Sequence, residues 1–490
     1  MISKSDYMLY LKHPAWLWLK KNDKTKLPPI DDNTQAIFDT GNLFESYAYK
    51  LFPEGLIVGF DSYDDYLSLS RRTQDAITAG SKVLFQARFE HEEITCICDV
   101  VEFVDESTVN LYEIKSSTKA KPEHEYDLAF QMVVLEGCGY TVKNISVIHV
   151  DNSYVRNGEV NYKELTATTD ITEAVKARRA FTKDNIKAAL DMLAKGEHPS
   201  FSPTLSGIGA FGDWLGIYKH LYSFGPNSIY SLCQLDAKLI AELEAQNIEN
   251  IENIPENFKL KPKQALQADA VRTGTPTIHV EKIKEFLSTF EYPLYFFDYE
   301  TMASIVPHFD GMRPYQQVPF QYSLHVLDSP EGEVRHVEYL HRDNTSPAEG
   351  LSATLKSQIG THGSVITWNM SFEKACNTTL GKLLPEYEQF YSKLNERIVD
   401  LMIPFSKNLY VHKDFEGSAS IKHVMPVLVP ELSYKVLGIQ EGGSAQRLWM
   451  EAVLDGKRAG EKEKILADLV EYCKMDTFAM VEIHRVLQSL

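Results

Sequence analysis

Residues 292–302, with the sequence YPLYFFDYETM, decide how the second half of this chain is interpreted. Their apolar run predicts a buried β-strand, and this strand carries Asp298 and Glu300 two residues apart. Side chains at i and i+2 of a strand project to the same face. Two adjacent carboxylates on one face are costly unless a cation lies between them, so the pair predicts a divalent-metal site. A strand end that emerges into solvent would also explain the two acids.

A second segment, residues 365–373 (VITWNMSFE), predicts a short strand followed by a turn and a helix. Asn369 lies in the turn, where its amide can bind backbone or phosphate. Glu373 lies near the helix start, where the helix dipole favours a negative charge. An ordinary capped helix with an acidic first turn has the same pattern, so this segment indicates a site only together with others.

The third segment, residues 471–477 (EYCKMDT), belongs to a predicted helix that runs from Lys462 to the end of the chain. Tyr472 and Asp476 are four residues apart and therefore share one helical face. A phenol beside a metal-ligating carboxylate could orient or deprotonate a water for attack on phosphorus. A Tyr/Asp pair at a partly buried edge is the alternative interpretation.

Taken together, FFDYET, ITWNMSFE and YCKMDT resemble, in order, the three motifs of DEDDy exonucleases, which include the proofreading domains of B-family DNA polymerases. The resemblance covers residues 290–490 and implies an RNase H-like α/β domain with 3′–5′ exonuclease activity. It further implies that Asp298, Glu300 and Asp476 ligate Mg²⁺ or Mn²⁺ and that Tyr472 positions the attacking water.

One position departs from this family pattern. The second motif usually ends in Phe-Asp, whereas this chain has Phe372 followed by Glu373. Glu373 can ligate a metal ion, but its extra methylene moves the carboxylate by about one bond length in a site that tolerates little error. Asp400, in RIVDLMIPF, and Asn369 are weaker candidate site residues. The segments RPYQQVPFQYSLHV, GSASIKHVMPVLVPELSYK and IQEGGSAQRLW also resemble a bacterial family catalogued as domain of unknown function 2779.

A second group of candidate residues lies in the first third of the chain. Asp99 ends the predicted strand ITCICD, and Glu113 and Lys115 share one face of the predicted strand LYEIK. Gln131 lies on the predicted helix YDLAFQMVVLEGCGY, and Glu45 lies on an upstream helix that begins near GNLFE. Glu-x-Lys alone is common on exposed strands, so the prediction of a metal site depends on the whole set.

This set resembles the PD-(D/E)XK nucleases, and within them the RecB-like branch that includes CRISPR-adaptation exonucleases. The match covers residues 1–195 and implies a restriction-endonuclease-like mixed sheet with flanking helices. The acids would hold the metal, the lysine would align a water or stabilise the developing phosphorane charge, and the glutamine would hold the lysine or the water. The implied metal ligands are Glu45, Asp99 and Glu113, and the implied catalytic residues are Lys115 and Gln131.

Length and composition limit the remaining possibilities. A chain of 490 residues exceeds one ordinary domain, and residues 196–289, which lack strand signals, predict a mostly helical connector between the two nuclease-like domains. No apolar run reaches the roughly 18–20 residues of a membrane span, and the charged N-terminus is a poor signal peptide. A cytoplasmic location without a membrane partner is therefore expected.

The six cysteines are scattered along the chain, and the first of them, Cys96, already lies inside the predicted N-terminal domain. Many members of the RecB-like branch hold an iron–sulfur cluster with a cysteine near the N-terminus and three after the nuclease core. This chain has no cysteine before Cys96 and none in residues 196–225, so no iron–sulfur cluster is expected. Free, mostly buried thiols are the better interpretation.

The sequence thus predicts a metal-dependent nuclease with two candidate phosphodiesterase sites. It would act exonucleolytically on DNA, with RNA as the less favoured alternative, in repair, processing or defence. A net charge of −18 argues against a strongly basic nucleic-acid clamp, although metal-binding carboxylates contribute to that sum. One alternative is a degenerate nuclease that binds nucleic acid or serves as a scaffold. Another is a metal-dependent phosphatase or nucleotide hydrolase. A helicase or defence-system partner is not specified by the sequence.

Overall fold

The computed structural model describes residues 1–490 and has a mixed α/β fold, which confirms the predicted fold class. The chain divides into two compact units. The N-terminal unit comprises Met1–Ser223 and Asp236–Ile240, and the C-terminal unit comprises Phe224–Leu235 and Ala241–Leu490. The predicted connector, residues 196–289, is shared between the two units. Trp214, for example, packs against Ala15 and Leu19 in the N-terminal unit.

The N-terminal unit contains one large sheet and its covering helices. Its strands are β1 (Ile2–Ser3), β2 (Leu56–Ile57), β3 (Val83–His91), β4 (Ile94–Phe103), β5 (Thr108–Lys115), β6 (Thr141–Val150) and β7 (Thr166–Asp170). Its helices are α1 (Lys4–Lys12), α2 (Pro14–Asn22), α3 (Asp32–Ala48), α4 (Tyr63–Thr78), α5 (Pro122–Gly137), α6 (Tyr162–Leu165), α7 (Thr172–Ala177), α8 (Arg179–Lys195) and α9 (Phe211–Tyr222).

The strand order of this sheet is β2-β3-β4-β5-β6-β7, and β1 pairs with β4 in parallel. β4 runs antiparallel to β3 and β5, whereas β5 and β6 are parallel neighbours joined through α5. Helix α5 is buried over most of its length because apolar residues such as Leu128 and Val134 belong to the core of this unit. A helix that is apolar on most of its circumference is expected to lie inside a domain.

The C-terminal unit contains a five-stranded sheet and a two-stranded one. Its strands are β8 (Thr277–Ile278), β9 (Leu294–Met302), β10 (Val318–Leu327), β11 (Val334–Leu340), β12 (Val365–Thr367), β13 (Ile398–Asp400) and β14 (Tyr410–Val411). Helix α10 (Ala237–Glu244) is divided between the units. The helices that follow are α11 (Pro262–Thr273), α12 (Val280–Leu287), α13 (Ala348–Gln358), α14 (Met370–Leu383), α15 (Glu388–Glu396), α16 (Ile403–Ser406), α17 (Ile421–Leu428), α18 (Gly442–Trp449) and α19 (Lys462–Gln488).

The order of the five-stranded sheet is β11-β10-β9-β12-β13, in which β9 to β11 are antiparallel neighbours and β12 and β13 run parallel to β9. Successive side chains of β9 point to opposite faces. Leu294 and Phe296 belong to the apolar cluster that includes residues of α19, and Tyr295 and Phe297 belong to the cluster on the other face. Asp298 and Glu300, which alternate with Tyr299 in the same way, therefore point to the face that packs against α19. No helix of the chain combines the length and apolar character that crossing a membrane requires.

Candidate functional site

In the C-terminal unit, β9 and α19 bring acidic side chains together. Asp298, Glu300 and Cys473 each offer a potential ligand atom, and these three atoms all lie within 4.8 Å of one another. The Cys473 Sγ lies 3.9 Å from Asp298 Oδ2. The strand spacing of two residues and the packing of α19 against β9 produce this convergence. The structure thus places the two predicted strand acids on one face, beside the predicted helix.

Asp476 lies one helical turn beyond Tyr472, as the sequence predicts. Its Oδ1 accepts a hydrogen bond of 2.5 Å from the phenol of Tyr434, and Tyr472 also hydrogen-bonds to this carboxylate. The rings of Tyr434 and Tyr472 have centroids 6.1 Å apart. Two neighbouring phenols, only one of them anticipated from the sequence, therefore surround the Asp476 carboxylate.

Burial and mutual repulsion dominate the electrostatics of this cluster. Burial, followed by the charges of Asp476, Glu300 and Glu373, raises the pKa of Asp298 well above its usual range. Burial and the charge of Asp476 raise the pKa of Glu300 in the same way. Burial raises the pKa of Asp476 to about 6, although hydrogen bonds from the tyrosines and the charge of Lys422 act in the opposite direction. The charge of Lys422 therefore offsets the effects of burial and repulsion only in part.

Glu373 joins the same cluster from the first turn of α14. Its side chain is buried, its Oε2 has no hydrogen-bond partner, and burial with the charge of Asp400 raises its pKa to about 8. A buried polar atom without a partner is unusual in a native protein. The orphaned oxygen and the raised pKa values make this donor set suited to a divalent cation, because hard cations prefer carboxylate oxygens.

The two weaker candidates serve the turn between β12 and α14. Asp400 Oδ1 accepts hydrogen bonds from the backbone N–H groups of Asn369 (3.1 Å) and Met402 (3.0 Å), and its Oδ2 accepts one from Met370 at 3.4 Å. Asn369 is exposed, has a left-handed backbone with a φ of 77°, and its Oδ1 accepts a hydrogen bond from Ser371. Both residues therefore shape the turn that delivers Glu373.

The nearest cation to act on the acidic cluster is Lys422, at the start of α17. Its charge lowers the pKa values of Glu300 and Asp476 against the larger effect of burial. Its Nζ donates to the Gln440 carbonyl at 2.7 Å and lies 5.9 Å from the centroid of the Tyr434 ring. Lys422 thus adjoins the cluster but bonds to a backbone carbonyl instead of a carboxylate.

In the N-terminal unit, the strand β5 and the helix α5 form a different kind of cluster. Glu113 Oε1 accepts from Lys115 at 2.6 Å and from Lys4 at 2.8 Å, and Glu113 Oε2 accepts from Gln131 at 2.6 Å. Asp127 accepts from Lys115 at 2.8 Å and from Gln131 at 3.0 Å. The structure therefore brings together three predicted residues with two that were not predicted.

The other two predicted residues of this unit lie at the margin of the cluster. Asp99 Oδ2 accepts from the backbone N–H of Ile114 at 2.8 Å, and burial with the charge of Glu113 raises the pKa of Asp99 to about 8. The Glu45 carboxylate accepts hydrogen bonds from the side chains of Tyr49 and Gln86. Glu45 contributes to the electrostatics of Asp99 but makes no hydrogen bond with it.

Sequence reasoning missed five residues of the two clusters: Lys4, Asp127, Lys422, Tyr434 and Cys473. Asp127 lies four residues before Gln131 on one face of α5, so helical periodicity could have identified it. Cys473 directly follows Tyr472 in a motif that had been singled out. No local sequence pattern could have identified Lys4, Lys422 and Tyr434, because they reach their clusters only through tertiary packing.

The comparisons with known proteins match part of the C-terminal unit to a family of unknown function. Residues 295–420 match the family model "Domain of unknown function (DUF2779)", so the resemblance to that family is confirmed for this segment. The "Uncharacterized protein MG366 homolog" of Mycoplasma pneumoniae is 26% identical over 212 residues, which is 40% of this chain and 32% of that protein. "Uncharacterized protein MG366" of Mycoplasma genitalium is 24% identical over 215 residues, again 40% of this chain and 32% of the relative. The chain thus matches about a third of the length of these curated relatives, and no solved structure matches it significantly.

Proposed function

We propose that this chain is a metal-dependent nuclease whose hydrolytic centre is the acidic cluster of the C-terminal unit, acting in the cytoplasm on DNA in preference to RNA. One observation carries the proposal: half-buried and buried carboxylates from β9, α14 and α19 act on one another electrostatically and have raised pKa values, and one Glu373 oxygen has no hydrogen-bond partner. Such a set is stable in its ionised form only beside a cation. The residues that would hold Mg²⁺ or Mn²⁺ are Asp298, Glu300, Glu373 and Asp476.

The strand order of the C-terminal sheet supports the same proposal. Three antiparallel neighbours followed by two strands parallel to the first one agree with the RNase H-like fold that the motif resemblance implies. In this arrangement β9 supplies two acids from the middle of the sheet, and the final helix supplies a third. Exonucleolytic cleavage in the 3′–5′ direction is carried over from the resemblance.

On this proposal, each side chain of the cluster has a separate role in hydrolysis. A bound divalent ion would supply Lewis-acid stabilisation of the phosphate and a more acidic water. Burial and the neighbouring carboxylates raise the pKa of Tyr472, which keeps its phenol protonated. A protonated phenol orients a water molecule through a hydrogen bond instead of removing its proton. Tyr434 holds the Asp476 carboxylate, and Lys422 is the nearest cation for a substrate phosphate.

The N-terminal cluster is the second candidate phosphodiesterase site, with Lys115 and Gln131 in the catalytic roles. The oxygens of Glu113 and Asp127 are less available as ligands for a divalent ion, because they already bond to lysine and glutamine side chains. The N-terminal cluster is therefore the weaker candidate for metal-dependent hydrolysis. This observation favours a second candidate function for the N-terminal unit, in which a degenerate nuclease domain binds nucleic acid or serves as a scaffold.

The proposal is tested with end-labelled single-stranded DNA, double-stranded DNA and RNA. Each substrate is incubated with the protein in the presence of Mn²⁺ and, as a control, in the presence of a metal chelator. Wild type is compared with Asp298→Asn and Lys115→Met, and with Asp328→Asn as a matched control, because Asp328 is an exposed aspartate beyond the end of β10. We expect stepwise shortening from the 3′ end by wild type, Lys115→Met and Asp328→Asn, and none by Asp298→Asn. Absence of cleavage by wild type on every substrate would contradict the proposal.

A further inference from the structure

The N-terminal cluster contains a lysine that the nuclease resemblance does not account for. Lys4 is the first residue of α1, and the chain before it is fixed by the pairing of Ile2 and Ser3 with β4. Ser3 and Asp6 close a reciprocal capping box at the start of the helix. Asp6 in turn bonds to two lysines of α2. The backbone of Lys4 is therefore held in one place relative to β4, the strand beside β5.

From that position the Lys4 side chain reaches into the acidic centre of the cluster. Its Nζ lies 2.8 Å from Glu113 Oε1 and 3.6 Å from Asp127 Oδ1. The Lys4 side chain is 18% exposed, and those of Glu113 and Asp127 are 1% and 9% exposed. The Lys4 amine thus lies between two nearly buried carboxylates. In a metal-dependent nuclease site the metal ion would be expected at such a position.

Other side-chain donors also bond to these two carboxylates. Lys115 bonds to both acids, at 2.6 Å to Glu113 and 2.8 Å to Asp127. Gln131 bonds to the other oxygen of each acid. The charges of Glu113 and Asp127 are thus balanced by two lysines, while the third acid, Asp99, accepts a hydrogen bond from the backbone N–H of Ile114. In the acidic cluster of the C-terminal unit the oxygen without a partner belongs to a carboxylate, Glu373, whereas in the N-terminal cluster it is the amide Oε1 of Gln131.

We propose that Lys4 occupies the cation position of the N-terminal cluster, so that this cluster binds no Mg²⁺ or Mn²⁺ while Lys4 is present. A divalent ion at Glu113 and Asp127 would lie within a few ångströms of two ammonium groups. Like charges at that separation repel strongly where water is largely excluded. Binding would therefore require the Lys4 side chain to leave two buried acids, which is costly once such a pair has formed. Divalent-metal chemistry is confined to the C-terminal unit on this proposal.

The test measures Mn²⁺ binding directly, in a full-length variant whose C-terminal cluster is disabled by Asp298→Asn and Glu300→Gln. Free Mn²⁺ is followed by electron paramagnetic resonance during titration of this background and of the same background with Lys4→Met. We expect Lys4→Met to create one Mn²⁺ site or to tighten Mn²⁺ binding by about tenfold or more. Adding Glu113→Gln to the Lys4→Met variant is expected to abolish that site, which assigns it to this cluster.

Lys12→Met is the matched control, because Lys12 lies on the same helix and places its amine over the ring of Trp16, 5.6 Å from the centroid. It should leave Mn²⁺ binding unchanged. Lys4→Gln, which keeps a hydrogen-bond donor without the charge, replaces Lys4→Met if the latter fails to fold by circular dichroism. Equal Mn²⁺ affinity with and without Lys4, or no site in any uncharged Lys4 variant, would overturn the proposal. Because the readout is Mn²⁺ binding in a background that lacks the two β9 acids, it is independent of whether the chain cleaves nucleic acid.

Discussion

The phenol of Tyr434 donates a hydrogen bond of 2.5 Å to the carboxylate of Asp476, a residue 42 positions further along the chain. This contact joins the segment between α17 and α18 to the middle of α19. A hydrogen bond to a carboxylate stabilises the ionised form, and this bond opposes the effect of burial on the pKa of Asp476. Tyr434 is therefore positioned to orient a predicted metal ligand.

Replacing Tyr434 by Phe removes this hydrogen bond and keeps the aromatic ring. We expect Mn²⁺ affinity and cleavage rate to fall by about 10- to 100-fold, the usual cost of losing a partner that orients a metal ligand. The pH profile of cleavage should shift to higher pH, because Asp476 then ionises less readily. Titration of Mn²⁺ and initial cleavage rates at several pH values provide the measurement.

Tyr322→Phe serves as the control for Tyr434→Phe. The Tyr322 hydroxyl is buried on the opposite face of the sheet and has no hydrogen-bond partner, so its removal should not lower Mn²⁺ affinity. Equal effects of the two substitutions would show that Tyr434 acts only through general packing.

Glu373 provides a second prediction, in which metal binding and stability respond differently. Its pKa of about 8 means that the metal-free protein holds Glu373 in the neutral form near pH 7. Glu373→Gln mimics that form, so the free energy of unfolding in chelator should change by no more than about 0.5 kcal/mol. Mn²⁺ affinity should fall by about tenfold or more if Glu373 is a ligand.

Glu373→Asp introduces the residue usual in DEDDy exonucleases and should retain cleavage. Chemical denaturation and Mn²⁺ titration of wild type, Glu373→Gln and Glu373→Asp measure the expected changes in stability and in metal affinity. A Glu373→Gln variant with unchanged Mn²⁺ affinity would remove this residue from the ligand set.

Stability of the metal-free protein should depend on pH in an unusual direction. Burial raises the folded-state pKa values of Asp298 and Glu300 well above their ordinary range and those of Glu373 and Asp99 to about 8. A group whose folded pKa is raised binds more protons when folded, so stability is lost as pH rises toward the folded pKa. Above about pH 7 histidines are neutral in both states and do not offset this loss.

We therefore expect the melting temperature in chelator to fall between about pH 7 and about pH 8, with each such group contributing up to about 1.4 kcal/mol per pH unit. Saturating Mn²⁺ should reverse the trend, since it binds ionised carboxylates. The double variant Asp298→Asn with Glu373→Gln should show a weaker pH dependence in chelator. A melting temperature that rises with pH over this interval would contradict the assignment of these acids as protonated.

Asp400 offers a fourth prediction, which separates support of the turn from metal ligation. Its oxygens accept hydrogen bonds from three backbone N–H groups at the turn before α14. Asp400→Ala should lower the free energy of unfolding by about 2 kcal/mol, the upper part of the range for losing a capping side chain. In the same protein Mn²⁺ affinity should change less than in Asp298→Asn.

Asp414→Ala, at an exposed aspartate of the same unit, is the stability control for Asp400→Ala. Urea denaturation and Mn²⁺ titration separate the two roles. A loss of Mn²⁺ binding as large as that of Asp298→Asn, without loss of stability, would instead make Asp400 a ligand.

The sequence alone determined the features that depend on local periodicity. It located β9 and α19, and it identified the pairs Asp298/Glu300 and Tyr472/Asp476, because strands repeat every two residues and helices every 3.6. It also identified Glu113, Lys115 and Gln131, which lie on consecutive elements joined by short connections. Spacing along the strand placed Glu113 and Lys115 on one face, and the resemblance to the PD-(D/E)XK nucleases added Gln131 to them.

Only the tertiary structure decided how each cluster is completed. Lys4 reaches Glu113 across 109 residues, and Tyr434 reaches Asp476 across 42, through packing between elements that no local pattern connects. The same packing divided the predicted connector between two units. The balance of charge in a cluster depends on which distant side chains arrive there. For that reason the sequence identified two similar sets of acids, and the fold distinguished one whose carboxylates bond to lysines from one whose neighbouring lysine bonds to a backbone carbonyl.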